Sequence, residues 1–386
     1  MDDPDHYKGR EHSGVKHYLL KSYLERLFMI IGQSEPRICY VDCFAGPWQQ
    51  ADDDLAGTSI ALSLEVMSKC RDSLQKMGKS VSFRALFVEK DSGAFRKLES
   101  YLQRTHWDGI HAEARHGDFY HLRENILEWC GSRDFAFFFI DPKGWKNAIE
   151  IPTLTPLLRR PRSEFLINFM YDFLLRTHTQ TPFQDDMRAI FGEVPSTTDM
   201  SPKDREKHLL QLYRNSLKTI PFSTNKRLRS AYVTILDPLK ERTKYHLIYL
   251  TRHPLGIIKF MEASEKMDIV QKRVRAQTKQ QHRVELTGQE DLFHGEFESI
   301  DADAADALEI DVLKAYWLDR LSTSPRRYGN EDLAGMLEDT NWFETDLQQA
   351  FRELIDEGRA TNLDTTGKRP KKPVHFAKNE RLKRTE

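Results

Sequence analysis

The stretch that most constrains this chain is Arg37-Ile-Cys-Tyr-Val-Asp-Cys-Phe-Ala-Gly46, followed by Pro47 and Trp48. Ile38, Tyr40 and Val41 form an apolar run of strand length that stops on an acid, Asp42, and turns at Gly46. The same pattern recurs in Ala85-Leu-Phe-Val-Glu89 and in Phe137-Phe-Phe-Ile-Asp141-Pro142. Apolar strands that each end on a carboxylate at one edge of a sheet suit an open, doubly wound α/β fold. Ligands of such folds sit beyond the carboxyl ends of the strands.

The rest of the chain supports this. Residues 14–31 carry apolar side chains at helical spacing and predict a helix before the first strand. Gly57-Thr58-Ser59 opens a second helix, offering either a plain cap or a seat for an anionic group. A strand over Phe83–Val88, a helix over Gly93–Thr105 and a short strand before Gly117-Asp118 follow. Strands over Asp134–Ile140 and Glu164–Met170 continue the β-α alternation. The pattern then breaks: Pro182, Gly192, Pro195 and Pro202 mark a helical insertion at about 173–229, with one helix over Arg205–Lys218. Ala231–Leu236 and Tyr245–Leu250 predict a hairpin that closes the sheet with an antiparallel edge. A long helix runs from Leu255 to about Gln281. Its basic end (Lys272, Arg273, Arg275, Lys279, Arg283) reads as a solvated C-terminus or a phosphate-facing patch.

Residues 285–308 are an acidic linker, which sets a first domain over 10–284 and a second over 309–386. The second predicts helices over Ile310–Leu321 and Asp332–Asp339, the latter capped by Asn330. Thr345-Asp-Leu-Gln348 reads as a capping box opening a third helix to Glu357. Strands over Ala360–Leu363 and Val374–Ala377 flank the basic turn Thr366–Lys372. Three helices and a basic hairpin predict a winged helix-turn-helix. Gln348, Gln349 and Arg352 would be its reading residues, and Lys368, Arg369, Lys371 and Lys372 would face phosphates. The helices themselves are acidic, which equally fits a protein-binding wing.

Net charge is −1, so any nucleic-acid surface must be local. No stretch reaches membrane-spanning length, and a cytoplasmic protein without membrane contact is the expectation. Cys39, Cys43, Cys70 and Cys130 form no C-x-x-C pair and read as buried thiols, with no metal site expected.

A dinucleotide fold would carry G-x-G-x-x-G after the first strand, where this chain has Ala45-Gly-Pro-Trp48. An acid and glycine at strand one, an acid at strand two and Gly-Asp after strand three instead fit S-adenosylmethionine (SAM). The loop at Asp42, Phe44 and Gly46, with Ser59, would wrap the methionine part. Glu89 would accept from both ribose hydroxyls and Asp118 from the adenine amine. Asp141-Pro-Lys-Gly-Trp145 lies where a methyl acceptor would sit. An exocyclic amine there needs acceptors for its N–H groups and a stacking aromatic, for which Asp141, the Pro142 carbonyl and Trp145 are the candidates.

Residues 14–30 with Lys16, together with Tyr40–Pro47, Gly57–Leu62, Phe87–Glu89, Gly117-Asp118, Phe139–Pro142 and Asn168-Phe169, resemble the three-Cys-motif partner family. That family is a branch of the class I SAM-dependent methyltransferase-like fold, and the resemblance covers about residues 10–280. It implies a Rossmann-like SAM-methyltransferase sheet, with Lys16 among the cofactor-binding residues. The tail resembles the winged-helix domain attached to some members. The family name refers to a radical-SAM-like partner bearing three cysteines. Trp48 stands where the family usually has glycine, and Lys143 where it favours an aromatic. The D-P-x-G form is closer to tRNA guanine exocyclic-amine methyltransferases than to D-P-P-Y enzymes.

Three functions follow as expectations. The first is a SAM-dependent methyltransferase acting on an exocyclic amine of DNA or RNA. The second is a catalytically inactive SAM-fold protein that binds nucleic acid or scaffolds its three-Cys partner, which Trp48 and the missing second proline favour. The third is a regulator that binds duplex DNA through the tail and senses a nucleotide through the large domain.

Overall fold

The computed structural model describes residues 11–46, 55, 57–144, 146–221, 227–287, 310–365 and 372–385. Pro47, Trp48, Trp145, Lys368, Arg369 and Lys371 lie outside the described residues, as do residues 288–308 of the acidic linker.

By their internal packing the described residues form two compact units, Met1–Arg252 and His253–Glu386. The first holds a mixed sheet of β1 (Arg37–Asp42), β2 (Ser82–Glu89), β3 (Ile110–His116), β4 (Phe135–Ile140), β5 (Ser163–Phe169), β6 (Arg229–Leu236) and β7 (Thr243–Thr251). Its seven described strands run in the order β3-β2-β1-β4-β5-β7-β6. Strands β1 to β5 are mutually parallel, and β7 is antiparallel to both β5 and β6. The chain steps outward in one direction from β1 and in the other from β4. The switch point therefore lies between them, where an open α/β sheet parts its loops to form a crevice. In β4 every residue is buried, as a central strand covered on both faces requires. On one face Phe137 stacks on Tyr40, and on the other Phe138 stacks on Phe165.

Helix α1 (Glu11–Ile31) buries Val15, Leu19, Leu20, Tyr23, Leu24, Leu27 and Phe28, a 3.6-period stripe that packs beside α2 (Ser59–Lys76). A buried polar cluster fixes its register. Tyr23 donates to Glu164 Oε2 at 2.8 Å, Thr251 donates to Glu164 Oε1 at 2.8 Å, and the Tyr249 hydroxyl lies 2.5 Å from that of Tyr23. Burial raises the Glu164 carboxyl above its ordinary range, with the surrounding hydroxyls opposing the shift. Further along come α3 (Ser92–Arg104), α4 (Phe119–Cys130) and α5 (Ile151–Leu158). All four cysteines are buried free thiols, and Cys39, Cys43 and Cys130 share one apolar cluster.

The insertion begins directly after β5 with α6 (Tyr171–Thr177), then α7 (Gln184–Phe191) and α8 (Pro202–Lys218). Helix α8 starts three residues before the sequence suggests, because Ser201 caps it and Pro202 needs no N–H donor in a first turn. Side-chain bonds tie it to the sheet and to the loop after β4, among them Arg214 to the Ser230 hydroxyl at 3.0 Å in β6. Glu206 Oε1 lies 3.1 Å from His246 Nε2 and accepts from Thr243 Oγ1 at 2.6 Å. Tyr213 donates to the Ile149 carbonyl at 2.8 Å, in the loop that follows Asp141.

The second unit contains α9 (Pro254–Thr287), α10 (Ile310–Arg320), α11 (Asn330–Thr340) and α12 (Glu344–Asp356). A three-stranded sheet joins them, in the order β8 (Arg326–Tyr328), β10 (Glu380–Arg384), β9 (Ala360–Asn362), with β10 antiparallel to both neighbours. Helix α9 falls in this unit because it packs along α11, and Thr345 donates to its Glu265. The core is built on Trp317, fully buried, which donates to the Leu347 carbonyl at 2.9 Å and lies against Phe351 and Phe376.

Three expectations for this unit are corrected. Helix α11 is capped at Gly329, whose N–H is accepted by Asp332, so Asn330 is already helical. Helix α12 starts after Phe343, whose N–H is accepted by Asp346 at 2.8 Å, so Thr345 is already helical and the predicted Thr345–Gln348 capping box does not form. Val374–Ala377 is not the last strand. That segment ends in a 3-10 turn closed by Asn379 at a φ of 55°, and the strand follows over Glu380–Arg384.

Candidate active site

Four carboxylates lie at the carboxyl edge of the parallel strands, and the structure gives each different work. Asp42, at the end of β1, is fully buried. Its Oδ1 accepts from the Phe44 N–H at 3.1 Å and its Oδ2 from the Ser59 hydroxyl at 2.7 Å. Burial pushes this carboxyl up to about 7, against the pull of those two donors. With both oxygens engaged, Asp42 shapes the first loop and ties it to the start of α2. Ser59 is engaged in the same bond, and Thr58 caps α2 by accepting from Ala61 N–H at 3.3 Å. The Gly-Thr-Ser element is therefore a cap and a loop tie. Phe44 lies half-buried with its ring 5.1 Å from Phe119, and the Gly46 N–H returns to the Phe44 carbonyl at 3.0 Å.

Glu89 ends β2. Its Oε1 accepts from the Asp91 N–H at 2.6 Å, and no described residue donates to its Oε2. The Gly117 N–H donates to the Glu89 carbonyl at 2.9 Å, which brings the turn after β3 alongside. Gly117 has a φ of 147°, and a Cβ there would meet Leu122 at 3.0 Å, so this close turn requires glycine. Asp118 caps α4, accepting from Tyr120 N–H at 2.9 Å, while its Oδ2 lies 2.7 Å from the exposed Lys90 ammonium. Burial alone would raise the Asp118 carboxyl, but Lys90 and the Tyr120 N–H more than offset this and hold it below its ordinary value.

Asp141 follows β4, across the switch point from Asp42. Its Oδ2 is ion-paired with Lys16 from α1, and its Oδ1 accepts from Asn168 Nδ2 at 2.7 Å. The side chains of Lys16 and Asp141 are 12% and 18% exposed, so this is a largely desolvated pair with a remaining opening. Burial pushes the Asp141 carboxyl up, yet Lys16 and Asn168 outweigh it and keep it below the usual range. Asp141 is thus an ionised acceptor. The loop behind it is held by Glu150, which accepts from Asn147 N–H (2.6 Å) and Ala148 N–H (2.8 Å). Pro142 is buried, and no described residue donates to its carbonyl.

Asn168 is a site residue that the strand-ending acids do not single out. The signal was present: it is an amide near the end of the otherwise apolar run Phe165-Leu-Ile-Asn-Phe169. An ionised carboxylate only accepts, so the Asn168 nitrogen must face Asp141, which leaves its Oδ1 buried without a partner.

In the second unit, Gln348 is a correction. It is 7% exposed, donates to the Val374 carbonyl at 2.8 Å and accepts from the Val374 N–H at 3.0 Å. It lies on the inner face of α12 with Leu347 and Phe351, so it fixes the chain after the turn and cannot read a base. Gln349 is exposed, Arg352 half-buried, and Lys372 exposed and paired with Glu344 at 3.0 Å. Among the described residues no His, Cys, Asp and Glu cluster suits a metal ion. No described helix is long and apolar enough to cross a membrane.

No family model matches this chain, and no curated protein matches it. Among solved structures, protein LPL1258 from Legionella pneumophila str. Philadelphia 1, of family model DUF519, is similar at 10% identity and a TM-score of 0.36. That match covers 69% of this chain and 92% of the other. A loganic acid methyltransferase with SAH is similar at 11% identity and a TM-score of 0.25, covering 70% of this chain and 66% of the other. Both TM-scores lie below 0.5, so the fold stands on the observed strand order: a mixed α/β, mostly parallel sheet compatible with a Rossmann-like arrangement.

Proposed function

We propose that the first unit is a SAM-dependent methyltransferase acting on an exocyclic amine of a nucleic acid. The observation that carries this is Asp141. It is an ionised, largely desolvated carboxylate beside the switch point, with the unengaged Pro142 carbonyl next to it in sequence. Two acceptors in that position suit an amine whose N–H groups must be held while its lone pair points at an electrophile. The reversed strand β7 and the missing glycine fingerprint argue against a dinucleotide site and suit the methyltransferase-like sheet that the sequence resemblance implies.

The residues present fit the donor. Glu89 keeps an unengaged carboxylate oxygen for a ribose diol, and Asp118, paired with an exposed lysine, can trade that partner for an adenine amine. Phe44, Gly46, Asp42 and Ser59 form and brace the loop that would meet the methionine part, and Lys16 supplies a cation there. When bound, the donor supplies an activated methyl group on a sulfonium. The chain orients the acceptor through Asp141 and Pro142, with Trp145 as the proposed stacking partner.

The second unit is read as a winged helix-turn-helix, because three helices lead into a small antiparallel sheet. Gln349, Arg352, Lys372 and the basic turn residues Lys368, Arg369 and Lys371 are its proposed nucleic-acid contacts. A radical-SAM-like three-Cys protein is the proposed protein partner, and a cytoplasmic setting is part of the same proposal. Isothermal titration with SAM tests the core of this reading, and absence of binding at millimolar donor ends it. Asp141→Ala should abolish methyl transfer to nucleic acid while keeping most donor binding.

One observation favours a second reading, an inactive SAM-fold scaffold: both Asp141 oxygens are already engaged within the chain. Transfer of a tritiated methyl group to mixed DNA and RNA separates the two, since reproducible labelling excludes an idle protein.

A further inference from the structure

We infer that Lys16 is shared between Asp141 and the carboxylate of the bound methyl donor, so that donor binding clears Asp141 for the acceptor amine. The inference rests on the methyltransferase reading and adds an order of binding to it.

The geometry sets up a competition for one oxygen. Asn168 holds Asp141 Oδ1 and cannot swap its amide ends, because its oxygen would then face an ionised carboxylate. That leaves Oδ2 as the position for an acceptor N–H, and the Lys16 ammonium, itself an N–H donor, occupies it. The backbone that carries Lys16 is held on both sides. Tyr245 donates to the His12 carbonyl at 3.0 Å one turn earlier, and Tyr23 is bonded to Glu164 two turns later. Movement is therefore left to the side chain of Lys16, not to the helix.

A desolvated ammonium does not leave a carboxylate without another anion to receive it. The nearby acids offer no such place. Each Asp42 oxygen already accepts a bond and burial drives this carboxyl towards its neutral form, while Glu89 and Asp118 belong to the β2 and β3 side of the crevice. The receiving anion must then arrive with a ligand. The donor expected here is an amino-acid derivative with a free carboxylate. Once Lys16 turns to that group, Asp141 keeps its charge and its Asn168 bond, and Oδ2 becomes open to the acceptor.

The test compares two donor-site ligands that differ in that carboxylate. S-adenosylhomocysteine carries it and 5′-methylthioadenosine lacks it. The Asp141 carboxyl is followed by 13C NMR in the full chain labelled at aspartate, with Asp141→Asn giving the assignment. S-adenosylhomocysteine should raise the Asp141 titration midpoint by about one pH unit or more, because its ion pair is lost, and methylthioadenosine should leave it in place. In Lys16→Met, checked for folding by thermal melting, affinity for S-adenosylhomocysteine should fall at least about tenfold while that for methylthioadenosine holds. Equal midpoints with both ligands bound overturn the exchange and leave the methyltransferase reading standing. Failure of both to bind the wild-type chain overturns the reading and the exchange together.

Discussion

Asn168 and Asp141 meet at the ends of neighbouring parallel strands, amide nitrogen to carboxylate oxygen at 2.7 Å. The bond orients the carboxylate and helps keep it ionised against its own burial. Asn168→Asp would set a second carboxylate against the first, and like charges at that range raise one of the two pKa values strongly. Methyl transfer should fall by about two orders of magnitude near neutral pH, with partial recovery as pH rises, while donor binding stays within a few-fold. Asn168→Ala should lose less, on the order of tenfold, with a flatter pH dependence. A pH–rate series on the two variants distinguishes an orienting role from simple loss of folding, which would lower both parameters at every pH.

Asp42 and Asp141 make opposite contributions to stability against pH. The folded pKa of Asp42 is raised from 3.8 to about 7, so the folded state binds its proton more tightly than the unfolded state. Its contribution is therefore greatest at low pH and is lost as pH rises between about 4 and 7. Asp141 is depressed when folded, so its contribution is present above the unfolded value and is lost as pH falls through the folded one. Asp42→Asn keeps a carbonyl for the Phe44 N–H and an amide that the Ser59 hydroxyl can accept from. It should remove the decline between pH 4 and 7, whose slope is up to about 1.4 kcal/mol per pH unit. Urea unfolding at several pH values, wild type against variant, measures the difference directly.

The parallel strands are legible because each is a local apolar run: β1 ends at Asp42 as expected, and β2, β4 and β5 lie within about one residue of the expected bounds at either end. The convergence at Asp141 was legible only in part. Lys16 lies 125 residues away and Asn168 27 residues away, and no local pattern encodes contacts that the sheet order creates. The last strand was misplaced for a different reason. Glu380-Arg-Leu-Lys-Arg384 offers one fully inward apolar residue, Leu382, whereas Val374-His-Phe376 imitates strand alternation and instead enters a 3-10 turn. Gln348 looked like a surface residue by type. Its amide is hidden because it replaces a missing strand partner for both backbone groups of Val374.

Glu89 commits one of its two carboxylate oxygens to the fold. Oε1 holds the Asp91 N–H at the start of α3, and Oε2 faces no described donor. Glu89→Gln retains a carbonyl for Asp91 but replaces the second acceptor with a donor. Donor-site affinity should fall by about ten- to a hundredfold, the scale of one or two hydrogen bonds to a charged group, with stability changed by less than about 1 kcal/mol. Calorimetric titration with S-adenosylhomocysteine gives the first quantity and thermal melting the second. Unchanged affinity would remove Glu89 from the ribose position.

Adjacent glutamines on α12 should separate folding from binding in the second unit. Gln348 satisfies both backbone groups of Val374, so Gln348→Ala leaves a buried N–H and a buried carbonyl without partners. A loss of about 2–4 kcal/mol follows from the cost of orphaning two such groups. Gln349 is exposed and next in sequence, and Gln349→Ala should leave stability within about 0.5 kcal/mol. If α12 lies against nucleic acid, Gln349→Ala should weaken binding of a fluorescent duplex or single strand by several-fold at fixed salt, and Lys372→Ala should also reduce the salt dependence by roughly one counterion. Anisotropy titrations across a salt series measure both effects. Binding that ignores both substitutions and shows no salt slope would assign the second unit to a protein partner instead.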